Sequence, residues 1–231
     1  MEAQIARLRT LATQISVCTK CDLSKTRMHA VPGEGNPNAD IVFIGEGPGF
    51  YEDQQARPFV GAAGKFLDEL LASIGLKRAD VFICNVLKCR PPGNRDPLPG
   101  EISACKDWLD EQLAVIGPKV IVTLGRFSMG RYFPGQAISR IHGQPKKLGD
   151  VLVVPMYHPA AALHQGSLRR TIELDFQKLP GLLADALAVE PEPVERQPEP
   201  VIHGGGWKHL NLVDDLLDTF NLLDDGFCIG A

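Results

Sequence analysis

The sequence contains no apolar run long enough to span a bilayer and shows no internal repeat. Its first 15 residues carry Arg7 and Arg9 within a helical pattern, so we do not expect a signal peptide there. Hydrophobic residues make up 44% of the 231 and charged residues 23%, which is typical of a soluble globular protein. We therefore expect a cytoplasmic protein with no membrane contact.

Charge is divided unevenly along the chain. Residues 188–231 hold nine acidic and two basic side chains, a net charge of −7, which leaves +3 for residues 1–187. A mildly basic domain with an acidic tail is compatible with nucleic-acid binding by the domain, although a charge of +3 does not establish it.

Apolar strands alternate with amphipathic helices over residues 1–187. The pattern predicts strands at 41–44, 81–86, 120–124 and 151–156, and helices at 5–15, 66–74, 101–116, from Arg126, and at 167–187 with an interruption at Pro180. This alternation indicates an α/β fold with a mainly parallel central sheet flanked by helices. Ligands of such sheets bind at the carboxyl ends of the strands.

The C-terminal part of the chain differs in composition from this domain. Residues 188–206 form a Pro/Glu/Gly-rich linker, and residues 207–231 form an acidic tail. Five apolar residues of the tail share one helical face: Trp207, Leu210, Val213, Leu217 and Phe220. Such a helix suits binding to a protein partner or docking on the basic face of the domain, and the alternative is a loosely ordered extension with no partner.

Six cysteines in a cytoplasmic chain favour metal ligation over disulfides. Four of them form two pairs, Cys18-x2-Cys21 and Cys89-x15-Cys105. Four thiolates suit either a tetrahedral zinc ion or a cubane iron–sulfur cluster, and the long second spacing favours the cluster. The other two are expected to be a buried apolar residue within a strand, Cys84, and a free thiol, Cys228.

Three motifs stand where predicted strands end. Gly45-Glu46-Gly47-Pro48-Gly49 follows the first strand, Asn85 lies near the end of the second, and His158-Pro159-Ala160 follows the last. Because the carboxyl ends of parallel strands share one edge of a sheet, we expect these segments to form the walls of one active site.

Taken with the cysteines, these motifs resemble those of the type-4 uracil-DNA glycosylases, the iron–sulfur branch of the uracil-DNA glycosylase superfamily. The resemblance covers roughly residues 1–180 and rests on six ordered motifs. They are Cys18-Thr-Lys-Cys21-Asp-Leu, Gly45 to Gly49, Arg57-Pro-Phe-Val-Gly61-Ala-Ala-Gly64, Asn85-Val-Leu-Lys-Cys89-Arg-Pro-Pro, Cys105, and Tyr157-His-Pro-Ala160.

The resemblance implies a three-layer α/β/α fold and a 4Fe-4S cluster bound by Cys18, Cys21, Cys89 and Cys105. It also implies a monomer that acts on uracil-containing DNA, single- or double-stranded, and hydrolyses the N-glycosidic bond to initiate base-excision repair. No lysine nucleophile stands in the motifs, so we expect a monofunctional enzyme that leaves the strand intact. The alternative is an iron–sulfur DNA-binding or redox-sensing module without glycosylase activity.

A glycosylase must hold an extruded base and stabilise it as it leaves. Phe59 is the candidate stacking surface, and a structural core role is its alternative. The Asn85 amide can both donate to and accept from uracil, unless it merely caps a turn. In the resembling family, the counterpart of His158 faces O2 of the departing uracil, where a preorganised donor stabilises the developing charge.

The loop at Gly47 departs from the best-known uracil-DNA glycosylases, which carry there an Asp that positions the attacking water. Without a side chain, the loop backbone can approach a base closely, so Gly47 is a candidate substrate-binding residue. Glu46, Glu52 or Asp53 are then the candidates for orienting water, and Glu52 is also a candidate for excluding thymine. A solvated acidic loop is the alternative.

Basic and apolar side chains elsewhere are candidates for contacting DNA. The phosphate-contact candidates are Arg126-Phe-Ser128, Lys146-Lys147, Arg169 and Arg170, and those for wedging into the duplex are Leu163 and Leu168. The loop Pro91–Pro97 carries no His that could become trapped on the abasic sugar, so we expect a turnover enzyme.

Overall fold

A computed structural model describes residues 2–188, which form one sheet covered by helices. The six strands are β1 (Glu34–Gly35), β2 (Ile41–Gly45), β3 (Phe82–Asn85), β4 (Val120–Leu124), β5 (Lys146–Leu148) and β6 (Val151–Met156). The nine α-helices of this range are α1 (Glu2–Ser16), α2 (Phe50–Gln55), α3 (Ala62–Ser73), α4 (Pro99–Ile116), α5 (Arg126–Gly130), α6 (Ile138–Ile141), α7 (Pro159–His164), α8 (Ser167–Phe176) and α9 (Leu179–Ala188).

The sheet has the strand order β1-β3-β2-β4-β6-β5. Its four central strands are parallel, and only the short edge strands β1 and β5 pair antiparallel. β2, β3 and β4 are buried along their whole length, which explains their uninterrupted apolar sequences. The predicted mainly parallel α/β fold is therefore confirmed.

Apolar side chains pack on both faces of the sheet. On one face, Phe43 stacks on Phe176 of α8, with ring centroids 5.7 Å apart and an interplanar angle of 8°. On the other face, Val42 and Ile44 pack in a cluster with Leu109 of α4. Neighbouring residues of β2 point to opposite faces of the sheet, and because both faces are covered by helices the fold has three layers.

Several short elements were not predicted. β1, β5, α2, α6 and α7 have two to six residues each, too few to show a period in the sequence. The predicted interruption at Pro180 falls instead between Phe176 and Leu179. Pro180 lies in the first turn of α9, where its missing N–H needs no intrahelical partner.

The predicted linker and tail, 188–206 and 207–231, lie outside the described residues except for Ala188, which ends α9. No helix within residues 2–188 is both long and apolar enough to cross a membrane.

Candidate active site and cysteine centre

A cleft of about 760 Å³ opens at the carboxyl ends of the parallel strands, a volume within the usual range for ligand pockets. Each central strand contributes to its lining. Glu46 and Gly47 follow β2, Asn85 ends β3, Arg126 follows β4 and His158 follows β6. The structure thus brings the predicted strand-end motifs together in one cavity.

Gly45, the last residue of β2, allows two of these side chains to meet. A Cβ at this position would overlap the Asn85 amide oxygen and lie 2.7 Å from Cζ of Phe59. Asn85 and Phe59 are both buried except for the surface that they present to the cleft. The bare backbone of Gly45 therefore places an amide and an aromatic ring side by side.

Phe59 lies in the loop between α2 and α3 with a φ of +53°, a left-handed conformation that is unfavourable for a bulky side chain. Its ring packs in the core beneath α3 and also stacks on the His158 imidazole, with centroids 5.3 Å apart and an interplanar angle of 21°. The two interpretations of Phe59, core residue and cleft wall, thus both describe its position.

His158 caps the N-terminus of α7. Its Nδ1 accepts a hydrogen bond from the backbone N–H of Ala160 at 3.1 Å, so the proton of the neutral imidazole is carried by Nε2. Burial lowers the pKa of His158 to about 4, and the nearby Glu52 charge opposes this shift only in part. At neutral pH the ring is therefore an uncharged Nε2–H donor.

Glu46 and Glu52 both line the cleft but differ in their partners. Burial raises the pKa of Glu46, the Asp96 charge raises it further, and Arg126 opposes these effects. Oε1 of Glu52 accepts hydrogen bonds from the backbone N–H groups of Val60 and Gly61, at 2.9 and 3.0 Å. Glu52 thereby fixes the loop that carries Phe59.

Asp53, the third candidate for orienting water, does not line the cleft. Both of its carboxylate oxygens accept from the Met28 N–H, at 3.0 and 3.1 Å, and Oδ1 also accepts from the His29 N–H at 3.2 Å. Asp53 is buried and joins α2 to the segment after Cys21, so the expectation that it orients water is wrong.

The candidates for DNA contact are not equivalent. Ser128 is buried and donates its hydroxyl to the Leu124 carbonyl at 3.1 Å, so the expectation that it contacts a phosphate is wrong. Leu168 packs against the core, whereas Leu163 of α7 is 51% exposed. Arg126 is exposed at the cleft and pairs with Asp96.

The other basic candidates are exposed on separate elements. Lys146 and Lys147 lie on the edge strand β5, and Arg170 lies on α8. Arg169 is already paired with Glu69 at 2.7 Å and with Glu173 at 3.1 Å.

The four predicted ligand cysteines line one small pocket between the end of α1, the loop after β3 and the helix α4. Two side chains donate to their sulfurs: Nη1 of Arg27 lies 2.8 Å from Sγ of Cys89, and Nε1 of Trp108 lies 3.3 Å from Sγ of Cys18. Burial raises the pKa of the Cys89 thiol to about 11, although Arg27 opposes that shift. A bound metal would have to displace this proton.

The donor set fits a thiolate-bound metal group. Four cysteines line the pocket, and no His, Asp or Glu among residues 2–188 lines it with them. Four thiolates are the ligands of both a tetrahedral zinc ion and a 4Fe-4S cluster. Cys84 is buried within β3, as predicted for a small apolar residue.

Lys88 links the two sites and was not singled out from the sequence. It is fully buried, and its Nζ donates to the Asn85 carbonyl at 2.9 Å and to Oε1 of Gln112 at 2.7 Å. Its position between Asn85 and Cys89 in the chain could have indicated this role. Arg95 and Asp96, also missed, line the cleft from the loop that follows Cys89.

Comparison with known proteins gives consistent matches. The family model described as the uracil DNA glycosylase superfamily matches residues 32–178. The chain is 50% identical to the type-4 uracil-DNA glycosylase of Archaeoglobus fulgidus over 181 residues, which cover 74% of this chain and 91% of the relative.

Two further relatives give similar values. The type-4 uracil-DNA glycosylase of Sulfurisphaera tokodaii is 48% identical over 184 residues, 74% of this chain and 83% of the relative. That of Thermotoga maritima is 44% identical over 176 residues, 74% of this chain and 92% of the relative.

Proposed function

The chain belongs to the uracil-DNA glycosylase superfamily, in its type-4 branch, and from this membership we propose that it removes uracil from DNA by hydrolysing the N-glycosidic bond. Water adds to C1′ of the sugar while the bond from C1′ to N1 breaks, and the electron pair of that bond leaves with the uracil. The products are free uracil and an abasic site, the first step of base-excision repair. Its DNA substrate is single- or double-stranded.

Recognition of uracil is assigned to Asn85 and Phe59, which meet at Gly45. The Asn85 amide can donate to O4 and accept from N3–H, a pattern that cytosine does not match. The Phe59 ring supplies an apolar surface for the extruded base. The juxtaposition of this amide and this ring at the bottom of the cleft is the observation that carries the proposal.

Stabilisation of the leaving group is assigned to His158. Its Nε2–H is fixed by the bond that Nδ1 accepts from Ala160, and burial keeps the ring neutral. A neutral N–H donor bonds weakly to the uncharged O2 of the bound uracil, and this hydrogen bond strengthens as negative charge develops on O2 in the transition state.

Glu46 is the residue assigned to orienting the water. Among the described residues, Asp96 and Arg126 affect the pKa of Glu46 through their charges and not through hydrogen bonds. Oε1 of Glu52, by contrast, already accepts hydrogen bonds from two backbone N–H groups. The raised pKa of Glu46 brings it nearer to that of an effective general base. Glu52 acts as a positioning residue for Phe59, and Gly47 leaves the cleft open for the base.

We further propose that Cys18, Cys21, Cys89 and Cys105 hold a 4Fe-4S cluster. When bound, the cluster supplies a covalent cross-link between distant segments and no step of the hydrolysis. The Arg27 and Trp108 donors favour thiolate sulfurs over protonated ones. A redox-sensing module would need these cysteines too, but it gives no reason for the cleft.

The test uses cluster-loaded protein and uracil-containing oligonucleotides, single- and double-stranded, followed by alkali. We expect cleavage that requires both uracil and alkali, because within residues 2–188 no lysine lines the cleft to cut the strand. Asn85→Ala and His158→Ala should each lower the rate about 10²- to 10³-fold with the visible absorbance of the cluster intact. No uracil-dependent cleavage by the loaded wild-type protein would refute the assignment.

A further inference from the structure

Two aromatic side chains stand exposed at the edge of the cleft. Phe50 and Tyr51 begin α2 directly after Gly49, which lines the cleft, and they are 45% and 57% exposed. Their rings meet edge to face, with centroids 5.4 Å apart. We call Phe50, Tyr51 and the neighbouring Arg90 the aromatic rim.

Arg90 joins this pair from another loop. Its guanidinium carbon lies 5.0 Å from the centroid of the Phe50 ring, and its Nε donates to Oδ1 of Asn94 at 2.7 Å. Asn94 itself lines the cleft. The aromatic rim therefore continues the wall of the cleft outward and places a cation beside an aromatic surface.

Folding does not explain the exposure of these rings. The buried residue of α2 is Asp53, which anchors the helix through the Met28 and His29 backbone. Large aromatic side chains left in water forgo the stabilisation that burial provides. Exposed aromatic rings beside a cation are instead typical of surfaces that bind unstacked nucleobases. Such stacking does not depend on the nucleotide sequence, because every base has an aromatic face.

We propose that the aromatic rim stacks a nucleobase of the substrate strand next to the extruded uracil, with Arg90 facing the adjoining phosphate. This inference rests on the proposed function. Extrusion of the uracil removes a stacking partner from its neighbours, and a ring at the cleft edge replaces it. The continuity of the rim with the uracil cleft favours DNA over a protein as the occupant.

The first measurement is binding of full-length, cluster-loaded protein to a uracil-free, single-stranded oligothymidine by fluorescence anisotropy. Tyr51→Leu and Phe50→Leu should each weaken binding about 5- to 150-fold, the range for one stacked base. Tyr51→Phe should bind like the wild type because it keeps the ring. Leu174→Ala, which changes a residue 44% exposed on α8, is the matched control and should bind normally.

The second measurement places abasic spacers on one side or the other of the uracil in an oligonucleotide. With one of the two placements, wild-type binding should weaken by the same factor as Tyr51→Leu, and the variant should lose nothing further. If the two Leu variants bind the oligothymidine as tightly as the wild type does, the proposal for the aromatic rim is wrong. That result would be expected if the exposed rings bound a protein partner instead of DNA. If wild-type protein bound DNA through these rings but released no uracil, the proposed function alone would fail.

Discussion

Lowering the pH from 7 to 5 should leave His158 uncharged, although an ordinary histidine would become protonated. Burial lowers the pKa of His158 from 6.5 to about 4, and protonation of Nδ1 would also break the hydrogen bond from Ala160. We therefore expect the neutral form of His158, the form to which stabilisation of the leaving group is assigned, to persist to about pH 4.5.

The same shift makes folding stability depend on pH. Between about pH 6.5 and pH 4 the unfolded chain binds a proton at His158 and the folded chain does not, so stability falls as the pH falls through this window. From these two pKa values, the loss from pH 7 to pH 5 is about 2 kcal/mol. It is an upper bound because the ring still meets water in the cleft.

Two assays check this. Heteronuclear NMR of the imidazole should show an Nε2–H tautomer that titrates near pH 4. In parallel, the free energy of unfolding of His158→Gln should fall by about 2 kcal/mol less than that of the wild type between pH 7 and pH 5, since the variant lacks the titrating group. A His158 ring that titrates near 6.5, or equal losses of stability in both proteins, would refute the reasoning.

Three further predictions concern other parts of the chain. Gly45→Ala should lower the free energy of unfolding by about 1–3 kcal/mol and slow uracil release at least tenfold, because the added methyl group displaces Asn85 or Phe59. In the matched control Gly130→Ala the new Cβ meets nothing within 4 Å, so this variant should match the wild type in melting and turnover assays. Cys18→Ser should lose the visible absorbance of the cluster and the folded state that depends on it, while Cys84→Ala keeps the absorbance; a colourless, zinc-loaded and fully active protein would contradict this. Deletion of residues 189–231 should leave turnover on short oligonucleotides unchanged, because the cleft and the predicted ligand cysteines precede this segment. The deleted segment also carries a net charge of −7, which repels DNA. Loss of turnover would show that the tail belongs to the active domain.

The sequence predicted the central strands and the residues at their ends because both are local properties. A run such as Ile41 to Ile44 is long enough to identify a buried strand, and the parallel arrangement then places Asn85 and His158 at one edge. The two predictions that failed did so for different reasons. Asp53 bonds to the backbone of Met28, a contact that only the folded chain specifies. Ser128 bonds to the Leu124 carbonyl four residues before it, a local contact that its position near Arg126 does not indicate.

The pairing of Phe59 with Asn85 was equally inaccessible from the sequence. It depends on Gly45 lying between them, and any of the 23 glycines could have filled such a role. The protonation state of His158 could not be predicted from the sequence either, because its pKa depends on how deeply α7 and the Phe59 loop bury the ring. Residue type indicates which chemistry is available, and packing determines the protonation state in which it operates.

The two sites of this protein are joined through one buried side chain. Lys88 bonds to the carbonyl of Asn85 and, through Gln112, to α4, which carries Cys105. Gln112 in turn donates to the Pro32 carbonyl at 2.8 Å, on the segment that leads away from Cys21. Asn85, the residue proposed to recognise the base, and the cysteine centre therefore share a polar network whose acceptors are all neutral.

Lys88→Met should weaken both sites together. Methionine keeps much of the length of the side chain but leaves the Asn85 carbonyl and Oε1 of Gln112 without their donor, a loss of about 1–3 kcal/mol for each buried acceptor. Burial raises the pKa of the Cys105 thiol, and the substitution also removes the amine that opposes this shift, although burial lowers the pKa of Lys88 itself. We expect faster loss of the cluster absorbance in a chelator and slower uracil release by the protein that remains loaded. Lys119→Met, at an exposed lysine, is the matched control. If Lys88→Met retains the cluster and releases uracil as the wild type does, Lys88 does not couple the two sites.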